Sequence, residues 1–245
     1  MKRFLLIWTA TFFSLAFSAP SSFAYNPRYV TENHLFSLDF LTQIQNRDVV
    51  EEGQSLANLK EKGDADSTRL LIRGGIRPIP PVELYGLIGG ADLSIDEFDR
   101  FDAGMSVAYG GGIRVVPYQS SFPGQFTLFV DAQYLQFTAK DRVLTDVLGI
   151  PTEQDEEIRW KEYVAKVGLE TDHDFFRPYG GLRFSLVRGK DILSVSGRLR
   201  IQEDDTVGVF GGADIFLDPT KRAALNLEFS LFDVDSISAG LRLFF

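Results

Sequence analysis

The chain has 245 residues, 24% of them charged, a formal charge of −9 and no cysteine. An acidic chain makes a poor partner for nucleic acid or any other polyanion, and the lack of thiols excludes disulfides and thiolate metal centres. The fold must therefore be closed by packing and backbone hydrogen bonds alone.

Lys2 and Arg3 precede an apolar run from Phe4 to Phe17, and Ser22-Phe23-Ala24 offers a small-x-small cleavage site, the pattern of a secretory signal peptide cut before Tyr25. The run is shorter than the roughly 20 apolar residues a spanning helix needs. Residues 1–24 are thus expected to be removed, residues 25–33 to form a short periplasmic segment, and residues 34–245 to fold. No later stretch is apolar enough for a helical span, so any membrane insertion must use strands.

From residue 34 onward apolar and polar positions alternate in segments of about ten residues, the signature of a transmembrane β-barrel. The spacing predicts strands over 34–44, 68–77, 82–92, 103–116, 125–137, 159–171, 178–188, 206–217, 223–231 and 236–245. The expected fold is all-β, a closed antiparallel transmembrane barrel of ten strands, with eight as the alternative if two weaker segments merge into loops.

The segment 223–231 shows the pattern best, with Ala223, Leu225, Leu227, Phe229 and Leu231 opposite Asn226, Glu228 and Ser230. In 236–245, Ile237, Ala239, Leu241, Leu243 and Phe245 oppose Ser236, Ser238, Gly240 and Arg242. The segment 82–92 is apolar on both faces and does not declare its orientation. Residues 192–201 have strand character and suggest a hairpin with 182–188 around Gly189-Lys190-Asp191, above the membrane.

The connections 78–81, 117–124, 172–177 and 218–222 are short and rich in Pro, Gly or Asp, while 45–67, 93–102, 138–158 and 189–205 are long and polar. Short periplasmic turns and long outer loops place both mature termini in the periplasm and the protein in the cell outer membrane. Aromatic residues near the strand ends fit interfacial girdles: Phe122, Phe126, Phe175, Phe176 and Tyr179 on one side, Tyr134, Phe137, Trp160 and Tyr163 on the other.

A four-residue pattern recurs at Gly74-Gly75-Ile76-Arg77, Gly111-Gly112-Ile113-Arg114, Gly180-Gly181-Leu182-Arg183 and Ala239-Gly240-Leu241-Arg242. If the aliphatic residues face lipid, Arg77, Arg114, Arg183 and Arg242 face the lumen near its periplasmic end. The same parity sends Asp39, Arg69, Arg73, Asp131, Lys166, Glu170, Asp214 and Glu228 inward, with Glu228 and Arg242 expected within diagonal reach on adjacent strands. Ten strands leave little more room than side chains fill, so these charges are expected to plug the lumen rather than line an ion path.

Catalysis of the usual kind needs a general base, and the histidines are His34, opening the first strand, and His173, in a short turn. Both fall on the periplasmic side, and neither is expected to act. Asp64 and Asp66, and the run Glu203-Asp204-Asp205, do not reproduce a calcium loop. No cofactor or metal is expected.

The last residues, Ser238-Ala239-Gly240-Leu241-Arg242-Leu243-Phe244-Phe245, resemble the terminal-strand signal of outer-membrane proteins, with Ser238, Gly240, Leu243 and Phe245 at its defined positions. That resemblance implies recognition by the barrel assembly machinery. Over residues 34–245 the chain looks like the small outer-membrane β-barrel superfamily of opacity-type and surface-antigen-like proteins. The implied partners are outer-membrane lipid and lipopolysaccharide, with an extracellular loop partner left open. The expected role is a non-enzymatic surface or structural protein, with a narrow pore or conduit for ions or small apolar molecules as the rival and an outer-membrane enzyme as a third reading.

Overall fold

The structure, a computed structural model, describes residues 34–52, 60–96, 101–120, 126–147, 150–191 and 200–245. The expected signal peptide, the segment 25–33 and Phe122 lie outside these residues. The alternating pattern is realised as the strands β1 (Phe36–Glu52), β2 (Lys60–Ile79), β3 (Val82–Asp96), β4 (Phe101–Gln119), β5 (Phe126–Val147), β6 (Ile150–Thr171), β7 (Phe176–Asp191), β8 (Arg200–Glu203), β9 (Val207–Phe216), β10 (Ala223–Leu231) and β11 (Asp235–Phe244).

Every pairing is antiparallel, and the sheet closes twice. β1 through β7 pair in sequence, β7 continues to β9, β9 to β10, β10 to β11, and β11 returns to β1 from Ser37↔Phe244 to Asn46↔Asp235, making a ring of ten strands. The start of β1 and the end of β11 meet at its rim, where Phe36 N donates to Phe245 O at 3.3 Å and Phe245 N to Phe36 O at 3.0 Å. We call this the near end. Towards the far end β10 and β11 stop, and β8 takes their place between β7 and β1, pairing Arg188↔Gln202 on one side and Val49↔Glu203 on the other. The far half is therefore a ring of eight strands, but not by the route of the eight-strand alternative: all ten expected segments are strands and close the ten-membered ring, and the smaller ring arises because β10 and β11 end early and β8 replaces them.

The short β10–β11 hairpin ends beneath β8 in a tight turn. Phe232 there is exposed and has φ of 83°, a conformation unfavourable for a bulky side chain. The turn sends Asp233 inward, where Arg183 Nε lies 3.1 Å from its carboxylate. Gly208 opposite makes this possible, since a Cβ there would lie 2.0 Å from Asp233 Oδ1.

The strands are longer than the sequence suggested. β5 and β6 have 22 residues each, a reach of about 70 Å, where about 9–11 residues suffice to cross a bilayer. The stretches 45–67, 93–102 and 138–158, expected as outer loops, are mostly strand, and so is part of 189–205. The expected hairpin around Gly189-Lys190-Asp191 is also displaced. Gly189 pairs with Ile201 inside the ladder, and the connection runs through 192–199, outside the described residues.

The extra length has its own chemistry. In the near half the outward side chains are apolar and exposed, among them Phe40, Ile44, Leu70, Ile72, Ile88, Val107, Leu182, Phe184, Leu225, Leu227, Phe229 and Ile237. Water would not tolerate so continuous a belt, and it is the exterior of a transmembrane barrel. Beyond the belt the outward positions become Asn46, Asp48, Asp64, Asp66, Asp96, Lys140, Arg159, Arg188 and Lys190. The inward positions change in the opposite sense. Val49, Ala65, Leu93, Ile95, Phe101, Ala103, Leu135, Phe137, Ala139, Ile158, Trp160, Val187 and Ile201 form one core, each no more than 5% exposed. The far half is packed like a water-soluble barrel and the near half like a membrane barrel, on the same continuous strands.

The β1–β11 seam depends on close approach. A Cβ on Gly240 would lie 2.6 Å from Phe40 O and 2.6 Å from Leu41 Cδ2, so Gly240→Val must push the seam apart. We expect it to cost about 1 to 3 kcal/mol, read as a lower temperature for loss of the compact band in unheated SDS gels. An unchanged transition would show that the seam has slack.

Candidate functional site

The inward face of the near half and the waist, where the two halves meet, carry charges in two groups. In the upper one, at the waist, Glu162 on β6 meets three arginines: Arg69 Nη2 at 2.6 Å, Arg47 Nη2 at 2.9 Å and Arg183 Nη2 at 3.3 Å. Arg47 Nη1 also reaches Glu203 at 3.0 Å, and Ser185 Oγ donates to Glu203 at 2.5 Å. Burial lifts the Glu203 carboxyl above the ordinary carboxylate range, with Arg47 and Ser185 opposing the shift. The charged side chains of this group are at most 3% exposed, so three arginines are balanced by Glu162, Glu203 and Asp233 within a protein interior. Arg69 also lies under the Phe137 ring at 5.8 Å, which joins the charged layer to the apolar core above it.

The lower group lines the wall towards the near end. Arg242 bridges Asp39 and Asp214, each at 3.1 Å, and Asn226 donates to Asp214 at 2.7 Å and to Tyr179 Oη at 2.8 Å. Arg73 pairs with Glu83 at 2.7 Å and stacks its guanidinium on the Tyr85 ring at 3.6 Å, while Tyr85 Oη donates to Asp131 at 2.6 Å. Arg77 reaches Glu83 at 3.7 Å, Arg114 pairs with Glu170, and Lys166 pairs with Glu228. Between the groups lies a cavity of about 110 Å³, whose lining includes Arg69, Asp131, Glu162, Lys166, Arg183, Glu228 and Arg242. It has room for several water molecules.

All twelve of the charged residues singled out in the sequence project into the lumen, but two details differ from expectation. Glu228 and Arg242 do not pair, because Glu228 stands opposite Ser238 and Arg242 opposite Ala224. Four residues separate them along the strand, beyond diagonal reach, and each finds another partner. Arg183 is not at the near end with the other repeat arginines. It stands at the waist beside Glu162 and Asp233, because strand tilt raises successive registers around the barrel.

Arg47, Glu83, Glu162, Glu203 and Asp233 were missed. Glu162 shares the parity of Lys166 and Glu170 and was legible on that signal. Arg47 and Glu203 fell in stretches taken for loops, and Glu83 in the segment apolar on both faces. Of the expected girdle, Tyr134 and Tyr163 contact each other at 4.9 Å, with Tyr163 facing outward. Phe126 and Phe175 are likewise exposed at the near end. Phe137 and Trp160 instead belong to the interior core, and Tyr179 to the lumen wall. The assembly-signal residues Ser238, Gly240 and Leu243 lie in β11, with Phe245 one residue past its end. His34 lies against Phe244 at 5.4 Å between ring centroids, and His173 stacks on Phe176 at 4.7 Å, both at the near end.

No protein-family model matches the chain, and no curated protein matches it in sequence. Solved structures similar in outline include the outer membrane protease OmpT from Escherichia coli, 12% identical over 88% of this chain and 98% of that one, with a TM-score of 0.45. The translocator domain of the autotransporter NalP from Neisseria meningitidis is 10% identical over 97% and 96%, at 0.47. The β domain of the Bordetella autotransporter BrkA is 13% identical over 87% and 100%, at 0.49. Likeness of this degree decides nothing about chemistry, and the barrel is established here by its own strand pairing.

Proposed function

We propose that this protein is an integral outer-membrane barrel of structural or surface-presenting role, non-enzymatic, whose lumen is closed. The observation that carries this reading is the reversal of polarity along the wall. Barrels spanning the outer membrane expose an apolar band about 25 Å tall, and the near half supplies one. Beyond it, a pore would require water at interior positions that are instead filled by Leu93, Ile95, Leu135, Phe137 and Trp160. The charged layers beneath are internally paired, as a plug demands and an ion path does not.

On this reading the far half stands outside the cell as a rigid β stalk, both termini face the periplasm, and Ser238, Gly240, Leu243 and Phe245 serve the assembly machinery. The histidines at the near end, each engaged with an aromatic ring, stand far from an external substrate. Reconstituted into planar bilayers, the protein is expected to show no steady conductance. Stable channels at the level of general porins would contradict the closed lumen and favour the pore.

A further inference from the structure

We propose that the outward face of β6 and β7, just beyond the apolar belt, is a binding site for the phosphorylated headgroup of an outer-leaflet glycolipid. Arg159 and Lys190 stand directly opposite each other, as do Lys161 and Arg188 one step nearer the belt. Opposed residues on one face have Cβ atoms about 4.5 to 5.5 Å apart, and like charges so placed destabilise a sheet. Elsewhere on the far half three described outward cations have acidic partners: Lys62 with Asp204 at 2.5 Å, Lys140 with Glu157 at 3.0 Å, Arg142 with Asp155 at 3.5 Å. Among the described residues none of these four makes an ion pair. The quartet is a concentrated positive patch on an acidic protein, with no ion pair to neutralise it among the described residues.

Its position selects the occupant. The next outward pair towards the near end is Tyr163 and Leu186, followed on the same strands by Val167 and Phe184, all exposed. A molecule whose phosphates meet the quartet would lay its acyl chains down that apolar wall, whereas a free anion would leave the wall unused. Clustered Lys and Arg at a membrane surface attract anionic lipid heads, and charge-assisted bonds to phosphate are stronger than neutral ones.

This site rests on the outer-membrane reading above, and its test is independent of it. In detergent solution, native mass spectrometry should find bisphosphorylated lipid A retained by wild-type protein and by a control with Lys62, Lys140 and Arg142 all changed to Gln. The variant with Arg159→Gln, Lys161→Gln, Arg188→Gln and Lys190→Gln should bind at least about tenfold more weakly. If that variant does not refold, the pair Lys161→Gln and Arg188→Gln should show the same direction of loss. Inorganic phosphate at equal concentration should not compete. Equal retention by the quartet variant, or displacement by inorganic phosphate, would overturn the site. Failure here leaves the closed barrel intact, because bilayer conductance tests that reading separately.

Discussion

Glu162→Gln should lower the unfolding free energy of the barrel by about 3 to 5 kcal/mol. Glu162 is 2% exposed at its side chain and takes up three arginines. The neutral amide keeps the shape and removes the charge, so Arg47, Arg69 and Arg183 remain facing one another with only Glu203 and Asp233 to compensate. The desolvation cost already incurred by those arginines is not returned. Denaturant unfolding in lipid vesicles measures the effect, with Trp160, inward on the same strand, as the reporter. A loss below about 1 kcal/mol would mean that water from the adjacent cavity screens the cluster as it does a surface pair.

Phe137→Ala should cost a similar amount, about 3 to 5 kcal/mol, by a different route. Phe137 is 2% exposed and packs on Trp160 at 6.3 Å between ring centroids. The eight strands around it leave no space to collapse into, and Arg69 beneath it loses its aromatic contact. Trp160→Phe should be much milder than Trp160→Ala, because the Trp160 indole N–H is buried without an acceptor and its removal takes away no hydrogen bond. Near-neutral behaviour of Phe137→Ala would indicate a wet far lumen.

How much was legible depended on which chemistry accompanied the period-two pattern. Strands β10 and β11, with aliphatics at every second position, were placed to within a residue or two. Inward parity of Asp39, Arg73, Asp131 and Asp214 followed from the same count, because a charge on the lipid face is too costly to sustain. Beyond the belt the alternation continues in the same phase but with its meaning reversed. Arg47 and Val49 point inward while Asn46 and Asp48 point outward, and Ala139 points inward beside outward Lys140. A sequence scan that equates outward with apolar sees only acidic or mixed stretches there and calls them loops. The partners within the lumen were illegible for another reason, since strand tilt and shear decide which levels meet across the barrel. Parity gives the face a residue occupies but not its height against a distant strand, so the link from Arg47 to Glu162, 115 residues away, has no local signal.

The central claim is the reversal of polarity along one wall, and the absence of cysteine from the chain allows it to be mapped directly. Single cysteines are placed at Asp66 and Arg159 on the outer surface of the far half, at Leu93 and Ala139 in its interior, and at Ile88 and Leu227 on the belt. In lipid vesicles a small water-soluble maleimide should label the first two rapidly and the other four negligibly, while a lipid-soluble reagent reaches only Ile88 and Leu227. Rapid aqueous labelling at Leu93 and Ala139 in a folded barrel would contradict the account, because it would place water where the closed lumen requires a dry core.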